Sequence, residues 1–243
     1  MTAAVDLTHC SCVAIIPARG GSKRIKHKNI RLFDNIPLIA HSINTAMKSN
    51  CFDAIVVSTE SDEIAAVAEQ YGALVPFRRP KALADDFIGT TPIVQHALQA
   101  LSELGANPTS CCCIYATAPL MSAEMLRQAK ATLLADDTVD FVFSACEFSF
   151  PIQRALLTDS HGGVVPFDPE SIGKRSQDLV KTYHDAGQFY WGMTNAFLAP
   201  QPAVFGPRSR MHLLPDYLVA DIDTEADWRR AELLYRLLQQ ESA

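Results

Sequence analysis

Two short stretches of this chain hold the residue types of phosphate chemistry. The first, "IIPARGGSKRIKHKN" from Ile15 to Asn29, begins as an apolar strand and turns on Gly20 and Gly21. It carries Arg19, Lys23, Arg24, Lys26 and Lys28 with no acid among them, in a chain of formal charge −6. Glycine lets backbone approach a ligand closely, and successive exposed N–H groups form an anion nest. Arginine and lysine neutralise charge that builds on phosphate oxygens during transfer. The spacing is neither G-x-x-x-x-G-K-[ST] nor G-x-G-x-x-G. Composition alone leaves a solvated basic loop without special role equally open.

The second stretch, "VADIDTEADW", sets Asp221 and Asp223 two apart. The pattern predicts "DYLVADID" as a strand, on which residues i and i+2 share a face, so both carboxylates point to one spot. Such a pair suits a hard divalent cation such as Mg²⁺, which takes oxygen ligands and keeps several waters. The other reading is that Asp223 precedes an N-cap at Thr224 and favours the helix dipole there. A phosphate-holding loop and a Mg²⁺-holding pair on one sheet edge make sense together.

The elements that must position these groups follow a strand–helix rhythm. The 243 residues, 48% hydrophobic and 20% charged, suffice for one α/β domain with an appended arm, or at a stretch two small domains. "CVAIIPA", "DAIVVST", "ALVPF", "SCCCIYATAP" and "DFVFSAC" read as strands. Helices are predicted at "IPLIAHSINTAMKSN", at "SDEIAAVAEQY" with Thr59 and Asp62 as a capping box and Gly72 as the stop, from about Thr91 to Leu104, and over 122–135. This alternation argues for a mostly parallel, doubly wound sheet with ligands at the carboxyl ends of its strands. The rhythm breaks from about 148 to 184, where "FPIQRALLTDSHGGVVPFDPE" reads as two short strands around a Gly-Gly turn, an arm inserted in a single domain spanning 1–243. The sheet resumes with "GQFYWGMTNAFL", and a final helix carries Trp228, Ala231, Leu234, Tyr235 and Leu238 on one stripe.

Composition narrows the partners. No apolar run approaches the roughly 18 residues of a membrane span, and "MTAAVDLTHCSC" lacks the basic start of a signal peptide. The seven cysteines, three of them adjacent at 111–113, suit a reduced, cytoplasmic core better than a disulfide frame and lack the spacing of a zinc site. An acidic chain with its positive charge bunched in one loop points to a small anionic ligand, whereas nucleic acid calls for a broad basic face or interleaved aromatics.

"IIPARGGSKRIKHKN" resembles the signature of the sugar-acid cytidylyltransferases, which make CMP-activated nonulosonic acids. The likeness continues through "VVSTESDEIAAVAEQYGA", "RRPKALADDFIGTTP", "YATAPL" and "DIDTEADW" and covers nearly the whole chain. "FSFPIQRA", "RSQDL" and "YHDAGQFYWG" look most like the pseudaminic acid branch. The sialic acid branch would show an asparagine–glycine pair where this chain has Ala186-Gly187-Gln188, and a glutamine-bearing strand where it has Tyr115-Ala116.

The resemblance implies a Rossmann-like nucleotidyltransferase fold, CTP and a nonulosonic acid as substrates, Mg²⁺ on Asp221 and Asp223, and a homodimer formed as the arm crosses to its partner. By the same likeness Arg19 and Lys28 grip the triphosphate, beside the backbone of Gly20, Gly21 and Ser22 with Ala18 and Asn29 flanking. Arg79, Asp86, Thr90 and Thr91 fall where the family surrounds the cytidine. Thr117 and Ala118 fall in the sugar-side turn, Arg175 aligns with an arginine that reaches the sugar carboxylate across the dimer, and Gln188, Phe189 and Tyr190 would line the sugar pocket. The residues alone leave Arg78 and Arg79 open as surface charges, Asp85 and Asp86 as turn caps, and Thr90 and Thr91 as an N-cap before Pro92. Alternation requires at least one of Phe189, Tyr190 and Trp191 in the core, and it sets His184 and Asp185 on opposite faces, against a catalytic dyad. The rival activities are the same transfer to N-acetylneuraminic or legionaminic acid, or a nucleotide-binding module without catalysis.

Overall fold

The computed structural model describes residues 7–85 and 87–241. The chain runs β1 (Cys12–Pro17), a small hairpin of β2 (Leu32–Phe33) and β3 (Ile36–Pro37), α1 (Leu38–Ser49), β4 (Ala54–Ser58) and α2 (Asp62–Gln70). It continues through α3 (Thr90–Glu103), β5 (Ser110–Ile114), α4 (Ala123–Leu134) and β6 (Phe141–Glu147). After β6 come the hairpin β7 (Leu156–Thr158) and β8 (Val164–Pro166), then β9 (Tyr183–Met193), α5 (Thr194–Phe197), β10 (Ser209–Leu214) and α6 (Glu225–Glu241).

Six strands form one sheet in the order β10-β6-β9-β5-β1-β4. β1 runs parallel to β4 and β5, and β10 parallel to β6, while β9 is antiparallel to both its neighbours. The expected mostly parallel sheet is therefore present, with one reversed strand at its centre. β1, β4, β5 and β6 are buried almost throughout because helices cover both faces. Ile39 and Ile43 of α1 and Leu126 and Ala129 of α4 pack on one face with Ile16, Cys112 and Trp191. Val94, Leu98 and Leu101 of α3 pack on the other with Val13, Ile15 and Cys113. All seven cysteines are buried and unbridged.

A third cluster positions the site. Ile25 from the loop after β1, Phe33 and Leu38 meet Ile222, Trp228 and Ala231 at the start of α6. Ile222 is buried while Asp221 is exposed and Asp223 only partly covered. One apolar residue thus anchors a charged pair on its two sides, as Ile25 anchors the basic loop. His41 packs edge-on against Phe33 and Tyr235, with Nε2 2.8 Å from the Phe33 carbonyl.

Burial holds the His41 pKa below its ordinary value, partly offset by that carbonyl bond and the charge of Asp34. The unfolded chain therefore binds the extra proton first. The contribution to stability is complete above about pH 6.5 and is lost as pH falls from there towards the lower folded value. The urea midpoint is expected to drop between about pH 7.5 and 5.5, and the drop to shrink in His41→Gln; an unaltered pH profile in that variant would clear His41 of the effect.

Several expected elements are corrected. "ALVPF" supplies only a single bridge, Val56 to Leu74, because Pro76 has no N–H to continue a ladder. The N-cap of α2 is Ser61, whose Oγ accepts from the Ile64 N–H at 3.4 Å, while Thr59 Oγ1 accepts from the Ser61 N–H. Gly72 does stop α2, at φ 87°. α3 begins at Thr90 with Gly89 as N-cap, so Thr90 and Thr91 lie inside its first turn. β9 starts at Tyr183, four residues before Gly187. The strand expected over "DYLVADID" does not form: the last strand, β10, lies wholly before it and stops at Leu214 ahead of Pro215, a short 3₁₀ turn follows at Asp216–Leu218, and Asp221 and Asp223 sit on the non-strand segment beyond.

Candidate active site

The carboxyl ends of β1 and β5 open into a cleft of about 530 Å³. Its walls are the loop after β1 (Arg19, Ser22, Lys23, Arg24, Lys28, Asn29), the segment before α3 (Arg79, Leu83, Asp85, Ile88), Thr90 and Ile93 of α3, the turn after β5 (Tyr115, Ala116, Thr117), and Asp223. The basic loop and the acidic segment, some two hundred residues apart in sequence, share this one space.

Local geometry explains how. His27 is left-handed at φ 53°, and a 3₁₀ turn over Lys28–Ile30 follows it. Asn29, nearly buried, donates from Nδ2 to the Arg19 carbonyl at 2.9 Å and closes the loop on itself. Lys28 then reaches across: Nζ donates to the Ile222 carbonyl at 2.6 Å and lies 3.3 Å from Asp223 Oδ1. Arg24 pairs with the other oxygen of Asp223 at 2.7 Å. The Asp221 carboxyl is pushed above its usual range, first by partial burial and then by the charge of Asp223, against the pull of Lys28 and Arg24. Mutual repulsion within an acidic pair favours a positive neighbour, and Lys28 and Arg24 supply it here. Among the described residues no group of three or more His, Cys, Asp or Glu is arranged to hold a metal. Mg²⁺ does not require so large a group, since it commonly takes one or two carboxylates from protein and the remainder from phosphate and water.

A third carboxylate, Glu60, two residues beyond β4, ties the basic loop to Arg79. Its Oε1 accepts the Gly20 N–H at 2.7 Å and its Oε2 pairs with Arg79 at 2.8 Å. The Arg79 side chain is 2% exposed, which excludes it as a surface charge. Its backbone N–H is fixed on the Thr59 carbonyl at 3.0 Å. Burial alone would raise the Glu60 pKa, but the Arg79 and Gly20 hydrogen bonds with the Arg79 charge hold it below the usual range. Sequence reading missed Glu60; its signal was only an acid at a strand end, with partners 40 and 19 residues away.

The remaining predicted residues divide. Arg19, Ser22, Lys28, Asn29, Arg79, Thr90, Thr117 and Asp223 line the cleft. Gly21 has open space where a Cβ would stand. Asp86 lies outside the described residues. Thr91 and Tyr190 border a second, smaller cavity of about 180 Å³ that shares Thr90 and Tyr115 with the cleft. There Thr90 Oγ1 is 2.9 Å from Tyr115 Oη, and the Tyr190 hydroxyl donates to Asp185. Burial raises the pKa of both Tyr115 and Tyr190, so both hydroxyls stay protonated donors near neutral pH. Gln188 is buried, with Nε2 donating to the Leu218 carbonyl at 2.5 Å. Asp221 does not line the cleft, although it is close enough to Asp223, Lys28 and Arg24 to feel their charges, and Arg175 lies in the arm, exposed and paired with Asp178 at 2.8 Å.

Three assignments need correction. Phe189 is fully buried, because strand alternation turns it with Trp191 into the α1–α4 core. Ala118 is likewise a core residue. Ala18 points its side chain into that core and spends its N–H on the Ser58 carbonyl at 3.0 Å. The Gly20 N–H is similarly committed to Glu60, so neither is available to an anion nest in this state. His184 Nδ1 bonds the Asp185 carbonyl, not its carboxylate, so no dyad forms.

A family model described as Cytidylyltransferase matches residues 13–215. A pseudaminic acid cytidylyltransferase of Campylobacter jejuni is 45% identical over 225 residues, covering 93% of this chain and 96% of the relative. A CMP-N,N'-diacetyllegionaminic acid synthase of Legionella pneumophila is 33% identical over 234 residues, with 94% and 97% covered. Among solved structures, a CMP:2-keto-3-deoxy-manno-octonic acid synthetase complexed with CTP superposes with a TM-score of 0.66 at 14% identity, over 95% of this chain and 99% of that one, a likeness of fold. With its sheet, its basic first loop and its near-complete alignment in agreement, the chain belongs to the cytidylyltransferase family.

Proposed function

We propose that the chain transfers CMP from CTP to the anomeric hydroxyl of pseudaminic acid, giving CMP-pseudaminic acid and pyrophosphate. The observation that carries the reaction class is the meeting of Lys28 and Asp223 at 3.3 Å across one cleft; the 45% identity to the Campylobacter relative supports the acid. The hydroxyl oxygen attacks the α-phosphorus and the bond to the pyrophosphate oxygen breaks. Both substrates are anionic, so the barrier is largely electrostatic. Arg19 and Lys28, on the cleft wall, stabilise charge gathering on the departing pyrophosphate. Arg79 and Thr90 flank the nucleoside end. Asp221 and Asp223 would hold Mg²⁺, which when bound neutralises triphosphate charge and acidifies a coordinated hydroxyl.

The arm fits a homodimer contact. Phe150, Leu156, Leu157, Val164 and Phe167 are exposed apolar residues on and beside its hairpin, a density that calls for a partner surface. Arg175 in the same arm would then bring a guanidinium to an acceptor carboxylate in the opposing protomer's cleft. Seven buried, unbridged cysteines support work in a reducing, cytoplasmic setting, and no helix among the described residues is long and apolar enough to cross a membrane.

Pyrophosphate release from CTP, measured with pseudaminic, N-acetylneuraminic and legionaminic acids in turn, tests this reading. Release is expected to favour pseudaminic acid by at least about tenfold and to stop when a chelator is added. Preference for legionaminic acid would reassign the acceptor, and no release with any acid would favour a nucleotide-binding module without catalysis.

A further inference from the structure

Glu60 stands between the two halves of the cleft. Its two carboxylate oxygens face in different directions: one takes the Gly20 N–H of the basic loop at 2.7 Å, the other the Arg79 guanidinium at 2.8 Å. Gly20 follows Arg19 in the basic loop, and Arg19, Ser22 and Arg79 line the same cleft. Arg79 is buried yet its Nε meets no acceptor among the described residues, a donor left unspent beside the cleft. A single carboxylate thus joins the Gly20 turn to Arg79.

We propose that Glu60 is a positioning residue that sets the spacing between the phosphate loop and the nucleoside wall, so that loss of its charge releases the loop from that wall. The inference rests on the CTP-dependent reading above. Its chemical logic is competition for an acceptor. In Glu60→Gln only one oxygen remains, and the buried guanidinium, which cannot shed its proton, takes it from Gly20. The loop is then free although none of its cations has changed.

The test compares Glu60→Gln with wild type for CTP turnover and for inorganic tripolyphosphate binding by calorimetry. Tripolyphosphate engages the basic loop without needing a nucleoside. The CTP KM is expected to rise about tenfold with kcat within about threefold, the pattern of lost uniform binding, and tripolyphosphate affinity to fall about fivefold through the loosened loop. The double variant Glu60→Gln/Arg79→Met removes the buried cation, returns the single amide oxygen to Gly20, and is expected to recover tripolyphosphate affinity while CTP binding stays weak. It also covers the case in which the single variant does not fold, since a neutral pair is tolerated where an unpaired buried charge is not. Unchanged tripolyphosphate affinity in Glu60→Gln, or no recovery in the double variant, would overturn the coupling. A fall in kcat alone, with both affinities intact, would reduce Glu60 to a support of the fold. If wild type bound tripolyphosphate but did not turn CTP over, the transfer reading would fail while the binding comparison still decided the role of Glu60.

Discussion

Asp223→Asn is expected to lower kcat by about a thousandfold, the scale of losing several kcal/mol of transition-state charge stabilisation. Asp223 holds Arg24 at 2.7 Å and Lys28 at 3.3 Å, and it is the acidic residue that lines the cleft beside the basic loop. The amide keeps the shape but loses the charge that orders those two cations and that a Mg²⁺ ion would require. The variant should remain folded, because Asp223 is partly exposed while the cluster beneath it is built from Ile222, Trp228 and Phe33. Its far-ultraviolet dichroism and melting temperature are the control. Pyrophosphate release near the wild-type rate would take Asp223 out of the chemistry.

Lys28→Ala carries the second large effect. The Lys28 side chain is 19% exposed and is held by the Ile222 carbonyl at 2.6 Å, so its ammonium is already placed before any ligand arrives. Charge preset in a partly dry site avoids reorganisation during the reaction. Removal is expected to cut kcat/KM for CTP by about 10²–10³, equivalent to about 2.7–4 kcal/mol, with the KM for the acid within about threefold. Lys28→Met, which retains the stem, separates charge from packing: it should lose as much as alanine. Steady-state constants for CTP equal to wild type in both variants would remove Lys28 from the triphosphate site.

The layout of the sheet was legible where apolar runs were bounded by strong stops. β1, β4 and β5 sit within the apolar runs that marked them, β6 runs one residue past its own, and α1, α2, α3 and α4 fall within a residue or two of their predicted spans. Strand direction was not legible: "GQFYWGM" alternates identically whichever way it runs, and only the ladder reveals that β9 is antiparallel to β5 and β6. The displaced last strand had a visible cause in Pro215, directly before which β10 ends at Leu214. The acidic pair still meets the basic loop, since the burial of Ile222 turns its neighbours outward without a ladder.

Of the site, charge type and spacing marked the basic loop and the acidic pair as groups, because cations without acids and paired acids are unusual against a mixed background; only the family resemblance singled out Lys28 among the loop cations. Phe189 could not be assigned, as alternation separates Tyr190 from Phe189 and Trp191 but does not say which face borders a cavity. Glu60 was invisible for a different reason. Its role consists entirely of contacts to Gly20 and Arg79, which only the folded chain brings together.

The most direct measurement is mass spectrometry of the product formed from CTP, Mg²⁺ and a pooled set of nonulosonic acids. A cleft in which Arg19 and Lys28 face Asp223 predicts a new species with the mass of CMP joined to pseudaminic acid, together with stoichiometric pyrophosphate. Intact CTP after prolonged incubation with correctly folded protein, or CMP joined to a different acid in preference, would contradict it.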